Sequence, residues 1–169
     1  SPLLNLNAGV PQGSILGPLL FLIFQNDIET NIISDISMFA DDTSLLKIFS
    51  NLKEAESTLN KDLATLLSWS RSWMVKFNPL KTKFILISNK KNRANLNIFL
   101  DGKKILKVKN NKHLGIVFSE DFTWKNHIEV AIKKAKIKIG ALFRTRDSLR
   151  RKDKVKLYTS MIRQIGRAH

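Results

Sequence analysis

Apolar and polar positions along this chain repeat with periods that predict both helices and strands. A helix is predicted over residues 13–30, and its segment from Leu19 to Phe24 is apolar on every side, which indicates burial. A longer helix is predicted over residues 51–73, with Asn51 as its N-cap and Trp73 at the end of its core-facing stripe. Two further helices are predicted later in the chain, over residues 124–146 and 151–164.

Short apolar segments between turn residues predict the strands. Residues 36–49 are predicted as a β-hairpin with Asp41 and Asp42 at its bend. Asp101-Gly102 is a strong hairpin signal between two such segments, Asn97–Leu100 and Lys104–Val108. Single strands are predicted at Phe84–Ile87 and His113–Phe118. Because strands and helices do not alternate as βαβ units, the pattern predicts an α+β fold with a mainly antiparallel sheet.

The composition is that of a folded protein without disulfide bonds. Of the 169 residues, 43% are hydrophobic, so a substantial core can form. Cysteine is absent, which excludes disulfides and thiolate zinc sites and fits an intracellular protein. The longest apolar run is far too short to cross a membrane, so no membrane partner is expected.

Charge is distributed unevenly along the chain. The formal net charge is +15. Residues 1–80 hold five basic and eight acidic side chains, a net of −3, and residues 81–169 hold 24 basic and six acidic ones, a net of +18. Lys and Arg bind phosphate without regard to base sequence, so the second half predicts a polyanionic partner. Any single basic cluster can also be an ordinary solvated helix face.

Two adjacent carboxylates, Asp41 and Asp42, are the leading candidates for chemistry. Phe39 and Ala40 lead into the pair, and a mainly apolar run leads away from it. Aspartates between apolar runs are commonly plain turn residues, and this interpretation stays open from the pair alone. A tight turn would also present hard oxygen ligands, which Mg²⁺ prefers, with little side-chain freedom to lose.

An upstream segment, from Gly9 to Phe21, favours metal ligands over plain turn residues as the interpretation of Asp41 and Asp42. It reads GVPQGSILGPLLF and contains Gln12 and Gly13 just before a predicted helix. Glycine lets the backbone approach a ligand closely, and a helix start presents N–H groups that suit phosphate. Pro-Gln-Gly alone is common in plain turns. Together with FADD at residues 39–42, the segment resembles the reverse transcriptases of non-LTR retrotransposons, the jockey-like mobile elements.

The resemblance implies an RNA-directed DNA polymerase, in which two Mg²⁺ ions activate the attacking 3′-hydroxyl and stabilise the leaving oxygen. It implies that Asp41 and Asp42 are catalytic metal ligands. Gln12, Gly13 and Phe39 would then shape the nucleotide and template pocket, although Phe39 is equally compatible with a core position on a strand. RNA template, DNA primer and deoxynucleoside triphosphates are the implied partners.

Later motifs extend the resemblance to about Tyr158. Asn78 to Lys83 resembles an Asn-x-x-Lys-Thr motif in which Lys81 contacts and protonates the pyrophosphate leaving group; a solvated lysine is the alternative. Leu114 and Gly115 resemble the primer grip, a hairpin that steers the primer end, and a strand glycine is consistent with close backbone approach.

The segment that starts at Phe122 resembles the beginning of the thumb. Trp69, Trp73 and Trp124 could stack on bases, although helical spacing favours a core position for Trp73. The helix that follows would present four lysines to the nucleic-acid backbone, on the face opposite its apolar stripe: Lys133, Lys134, Lys136 and Lys138.

The family pattern also requires a third aspartate on an earlier strand, and none of the eight residues before Gly9 is acidic. The chain is therefore expected to be an inactive fragment. Residues 1–118 would form a partial palm, an antiparallel sheet with packed helices that lacks the first catalytic strand and the fingers. Residues 119–169 would begin a helical, basic thumb. The location is expected to be intracellular, and the resemblance favours the nucleus.

Two other functions stay open. The first is a non-catalytic, retroelement-derived nucleic-acid-binding module, which the basic half could support alone. The second is a group II intron maturase, whose reverse transcriptase shares the Ala-Asp-Asp box. The amino-acid sequence of the upstream segment, residues 9–21, and the Asn-x-x-Lys-Thr motif favour the mobile element.

Overall fold

The computed structural model describes residues 13–88, 95–145 and 147–166. It forms two compact units. Unit 1 contains Ser1–Pro79 and Leu96–Lys104, and unit 2 contains Leu80–Asn95 and Ile105–His169. Helices and short strands occur in both units, which confirms the α+β class, while the palm–thumb boundary after residue 118 stays a prediction.

The elements follow one another in this order: α1 (Leu16–Gln25), β1 (Asp35–Phe39), β2 (Asp42–Leu46), α2 (Leu52–Ser72), β3 (Lys83–Phe84), β4 (Phe99–Leu100), β5 (Lys103–Lys104), β6 (Leu106–Lys107), β7 (Asn110–His113), β8 (Ile116–Ser119), α3 (Lys125–Arg144) and α4 (Arg151–Leu157). Within the described ranges the strands form four separate pairs, three antiparallel and one parallel. The pairing is therefore mainly antiparallel, as predicted, but the strands of these ranges do not join into one sheet.

The core of unit 1 lies between α2 and β4. Asn51 caps α2 as predicted, since its side-chain oxygen accepts a hydrogen bond from the Lys53 N–H at 2.9 Å. The Asn60 side chain donates to the Asn97 carbonyl and accepts from the Phe99 N–H, each at 2.9 Å, which fastens β4 to the helix. The buried apolar side chains of this unit are Ile28, Ala55, Leu66, Leu96, Ile98 and Leu100.

Helix α1 is shorter and more exposed than predicted. Residues 26–31 form turns instead of continuing the helix. The side chains from Leu19 to Ile23 are exposed, with Leu22 at 66%, so the predicted burial of this run is wrong within the part of the chain that the structure describes. The buried positions of α1 are Gly17 and Gln25. An apolar run indicates a preference for burial, and the described residues of unit 1 cover only one side of this helix.

The hairpin at Asp101-Gly102 is confirmed, because both residues adopt the left-handed φ values, +51° and +71°, that its two-residue turn demands. Its second arm, however, is shorter than predicted. Strand β5 ends at Lys104, and β6 pairs in parallel with β3, so the predicted Lys104–Val108 arm is divided between the two units.

Unit 2 is built around a second hairpin, β7–β8, against which α3 packs. The predicted single strand His113–Phe118 is wrong, because Leu114 and Gly115 form a left-handed turn with φ of +47° and +89°. Strand β3 covers only the start of the predicted Phe84–Ile87 strand. After α4 the chain continues as a π-helical turn, Tyr158–Ile162, and a 3₁₀ turn. None of the helices described is both long and apolar enough to cross a membrane.

Candidate active site and nucleic-acid interface

Asp41 and Asp42 lie at the closed end of the β1–β2 hairpin, as predicted. Phe39 and Asp42 are the last paired residues, so Ala40 and Asp41 form a two-residue turn. Ala40 has φ +51°, since two-residue hairpin loops require left-handed backbone. Both carboxylates are exposed, which places two hard oxygen ligands side by side where ions from solvent can reach them.

The aromatic ring of Phe39 shares a face of this hairpin with Asp42. The two residues are directly paired, and paired residues of an antiparallel hairpin project from the same face. Phe39 is 64% exposed, so its alternative assignment to the core is wrong. The opposite face carries the paired, half-buried Ile36 and Leu45. The hairpin thus packs one face and presents a ring beside a carboxylate on the other.

Two buried side chains that the sequence did not single out hold this hairpin. The Gln25 amide donates to the Ala40 carbonyl at 3.4 Å, so it is the last turn of α1 that reaches the bend. Asp62, fully buried on α2, accepts from the Ile33 and Ser34 N–H groups, one with each oxygen and both at 2.9 Å. Because β1 begins at the next residue, Asp62 fixes the backbone that enters the hairpin.

The sequence did contain a signal for Asp62. The residue follows Ala55 and Leu59 at helical spacing and precedes Leu66, so it lies on the apolar seam of α2 rather than on its polar face. An acidic residue on such a seam needs hydrogen-bond partners, because an unpaired buried charge is costly.

Asp27 is a second acidic residue with an unpredicted structural role. It accepts from the indole N–H of Trp69 at 2.7 Å and from that of Trp73 at 3.3 Å. The Phe24 ring packs edge-on against both indoles, with centroids 5.7 and 5.1 Å away. Trp73 is 44% exposed, so its predicted core position is wrong; the ring packs on one side and keeps the other in solvent.

The predicted nucleotide-pocket residues are only partly described. Gln12 lies outside the described residues. Gly13 is an exposed turn residue with φ +83°, a conformation that a side chain would strain. The Ser14 hydroxyl accepts from the Gly17 N–H at 3.1 Å, so one of the donors at the start of α1 is already taken by the chain itself.

Asp41 and Asp42 are the two carboxylates that the sequence assigns to a metal site. Within the described ranges no group of three or more His, Cys, Asp or Glu side chains is arranged to hold a metal ion. Lys81 is exposed, two residues before β3, and belongs to unit 2, whereas both aspartates belong to unit 1. The three predicted catalytic residues therefore do not share one unit.

Unit 2 brings the predicted primer-grip and backbone-binding residues together. Leu114 and Gly115 form the β7–β8 turn, and the Leu114 side chain is exposed. The Val117 N–H in β8 donates to Nδ1 of His127 in the first turns of α3, at 3.3 Å, which links this hairpin to the helix.

All four predicted lysines of α3 are exposed: Lys133, Lys134, Lys136 and Lys138. The Lys138 ammonium donates to the Met161 carbonyl at 3.0 Å, so it also fastens α3 to the C-terminal segment. The half-buried positions Ala135 and Leu142 lie three residues before and four residues after Lys138, so Lys138 shares their face of the helix and its predicted place on the opposite face is wrong. Another basic cluster, Lys90 to Arg93, lies outside the described residues.

Residues 4–156 match the profile of the family described as reverse transcriptase (RNA-dependent DNA polymerase). The chain is 29% identical, over 92% of its length, to the RNA-directed DNA polymerase from mobile element jockey of Drosophila melanogaster. It is 31% identical, over 76% of its length, to the probable RNA-directed DNA polymerase from transposon BS of the same species. A retrovirus-related Pol polyprotein from a type-1 retrotransposable element of Nasonia vitripennis is 27% identical over 85% of the chain.

The chain spans only part of these proteins: 18% of the jockey polymerase, 15% of the transposon BS protein and 38% of the Nasonia polyprotein. No solved structure matches it.

Proposed function

Because this chain belongs to the reverse transcriptase (RNA-dependent DNA polymerase) family, we propose that it forms part of the RNA-directed DNA polymerase of a jockey-like, non-LTR retrotransposon. In this proposal residues 1–118 belong to the palm and residues 119–169 begin the thumb. The observation that carries it is the exposed Asp41-Asp42 pair at the tight end of the β1–β2 hairpin.

Asp41 and Asp42 are the residues that would hold Mg²⁺. Carboxylate oxygens are the ligands Mg²⁺ prefers, and their exposure fits an ion that keeps part of its water shell. When bound, two such ions supply activation of the primer hydroxyl and stabilisation of the departing pyrophosphate. The buried Asp62 and Gln25 hold the hairpin against the rest of unit 1, so the two carboxylates stay in a fixed relation to each other.

The remaining site residues receive their proposed roles from the family resemblance. Phe39, with its ring beside Asp42, would border the incoming nucleotide, and Gln12 and Gly13 would approach the nucleotide and template. Lys81 would donate a proton to the pyrophosphate as it leaves. Asp41 and Asp42 supply two ligands, and the described residues hold no group of three or more candidate ligands, so we expect that the chain alone does not polymerise.

Unit 2 would hold the primer and template. The Leu114-Gly115 turn would steer the primer end, and the exposed α3 lysines would contact phosphates of the RNA template or DNA primer. We place this function inside the cell, with the nucleus favoured by the resemblance. A non-catalytic nucleic-acid-binding module is the second candidate, because the exposed lysines of α3 could bind phosphates without any metal ion.

A salt series on primer–template binding tests the nucleic-acid part of the proposal. Replacing Lys133, Lys134 and Lys136 with Gln should weaken binding of a labelled RNA–DNA duplex. It should also flatten the salt dependence, because a protein with fewer phosphate contacts releases fewer counterions when it binds. Lys138→Gln is measured separately because its ammonium also bonds to Met161.

The matched control neutralises three exposed lysines of unit 1, at positions 53, 61 and 76. If that variant loses as much affinity as the α3 variant, binding depends on net charge alone. If neither variant changes affinity or slope, α3 is an ordinary solvated helix and the proposed interface is wrong.

A further inference from the structure

Four aromatic side chains cluster where β8 passes into α3 in unit 2. The Trp124 ring lies 6.3 Å from Phe118, 6.3 Å from Phe122 and 6.2 Å from His127, measured between centroids. Phe118 and His127 are half-buried, and His127 accepts from the Val117 N–H. The inner pair therefore fixes the position of Trp124 from below.

The outer pair is presented to solvent. Phe122 is 59% exposed and Trp124 is 50% exposed. The two rings border an open, shallow stretch of surface that Thr123 and Val117 also line. Large aromatic rings fixed on one side and open on the other are the arrangement on which nucleobases stack.

Phe122 adopts a backbone conformation that disfavours it. Its φ is +55°, the left-handed region that glycine and asparagine occupy at much lower cost than a bulky residue. The turn is held by Asp121, whose carboxylate accepts from both the N–H and the hydroxyl of Thr123, at 3.1 and 3.0 Å. A bulky aromatic residue kept at a strained and exposed position points to function, because folding alone would be better served by glycine.

The surroundings of these rings supply the charge that a nucleic acid needs. Lys125 directly follows Trp124 and is exposed, and the same helix presents Lys133, Lys134 and Lys136. The first of these lies about 12 Å further along the helix axis, at 1.5 Å per residue, which a strand of a few nucleotides can span.

We propose that Phe122 and Trp124 form an aromatic shelf on which one unpaired base of single-stranded nucleic acid stacks, while the α3 lysines hold the phosphates of the same strand. This proposal rests on the proposed nucleic-acid-binding function. The shelf would add a preference for single strands over duplexes, which the lysines alone cannot provide. Lysines contact the phosphates of single strands and duplexes alike, whereas the shelf needs a base whose face is free.

The test compares three labelled probes of equal length: a single strand, its duplex, and an abasic single strand. Binding to the complete chain is followed by fluorescence anisotropy. Trp124→Ala should weaken single-strand binding by roughly tenfold, the usual effect of losing one stacked base, and should leave duplex and abasic binding within about twofold. Trp124→Phe should retain most of the affinity.

Phe122→Gly separates stacking from folding. The glycine relieves the left-handed backbone, so the variant should unfold at the same or a higher urea concentration than the wild type, while it loses single-strand affinity. Phe99→Ala, which removes an exposed ring from unit 1, is the control and should change neither property.

The possible outcomes distinguish the shelf from the wider proposal. Equal losses on all three probes, or unchanged single-strand binding in both shelf variants, would overturn the shelf while leaving the α3 interface intact. A wild-type chain that binds none of the probes would overturn both. If Trp124→Ala fails to fold, Phe122→Gly decides the question alone.

Discussion

Removal of the Asp62 carboxylate should destabilise unit 1 and release the start of the β1–β2 hairpin. This side chain is fully buried, and its two oxygens accept from the Ile33 and Ser34 N–H groups at 2.9 Å. Ser34 is itself buried, so water cannot readily replace the lost acceptor. Asp62→Ala therefore leaves two backbone donors without a partner directly before β1.

The expected magnitude follows from those two donors. An unsatisfied buried N–H costs about 1–3 kcal/mol, so the buried Ser34 donor contributes that much and the part-buried Ile33 donor less, about 2–4 kcal/mol together. Loss of the carboxylate also removes its own desolvation cost, which offsets part of this sum. We expect the free energy of unfolding to fall by about 3 kcal/mol for Asp62→Ala and by about 2 kcal/mol for Asp62→Asn, whose amide oxygen can still accept one of the two bonds.

Urea denaturation followed by circular dichroism measures the stability change, and hydrogen exchange at the Ile33 and Ser34 amides locates it. Glu54→Gln is the matched control, because Glu54 is an exposed acidic residue in the first turn of the same helix and should contribute less than about 1 kcal/mol. An Asp62→Ala variant no less stable than this control, with unchanged exchange at both amides, would refute the reasoning.

Three further predictions concern unit 1. Ala40→Gly should stabilise the hairpin by up to about 1 kcal/mol in urea denaturation, because glycine adopts positive φ without the steric cost that alanine incurs. The wild-type chain should not extend a primer on an RNA template with Mg²⁺ and deoxynucleotides; extension that an Asp41→Ala variant abolishes would contradict this. Asp27→Leu should shift tryptophan emission and destabilise the unit by about 1–3 kcal/mol, since Trp69 and Trp73 lose the acceptor of their indole N–H groups; unchanged emission and stability would count against that role.

Local chemistry made the turns and caps predictable from sequence. Asp101-Gly102 combines the residues that tolerate positive φ, and Asn51 offers the oxygen that a helix start requires. Both features depend on residues adjacent in the chain. The Asp41-Asp42 bend was predictable for the same reason, since two short apolar strands flank it.

Long-range packing was not predictable in the same way. The apolar run from Leu19 to Ile23 states a preference for burial, but the described part of unit 1 covers only one side of α1. Leu106 and Lys107 belong to the predicted Lys104–Val108 arm of the hairpin, yet they pair with β3 and lie in the other unit. Sequence periodicity carries no information about which strand will be the partner.

The remaining differences between the predicted and observed structure come from single residues that have a positive φ or a buried charge. Leu114 has no sequence signal for φ +47°, so the β7–β8 turn was hidden inside an apparently continuous strand. Asp62 looked like one of several polar positions on α2, and only its place on the apolar seam distinguished it. The sequence thus predicted the exposed carboxylates of the candidate site, Asp41 and Asp42. It did not predict the buried groups that hold their hairpin, Asp62 and Gln25.

Residue-resolved binding of Mn²⁺ tests the central claim most directly, since Mn²⁺ prefers the same carboxylate ligands as Mg²⁺ and broadens nearby amide resonances. We predict that trace Mn²⁺ broadens the amides of residues 39–43 first. Replacing both Asp41 and Asp42 with Asn should abolish the effect, and Asp35→Asn, which removes an exposed carboxylate at the open end of the same hairpin, should preserve it. Broadening that is no stronger at residues 39–43 than around Asp35 or Glu54, or that survives loss of both turn carboxylates, would contradict the assignment of this hairpin as the metal site.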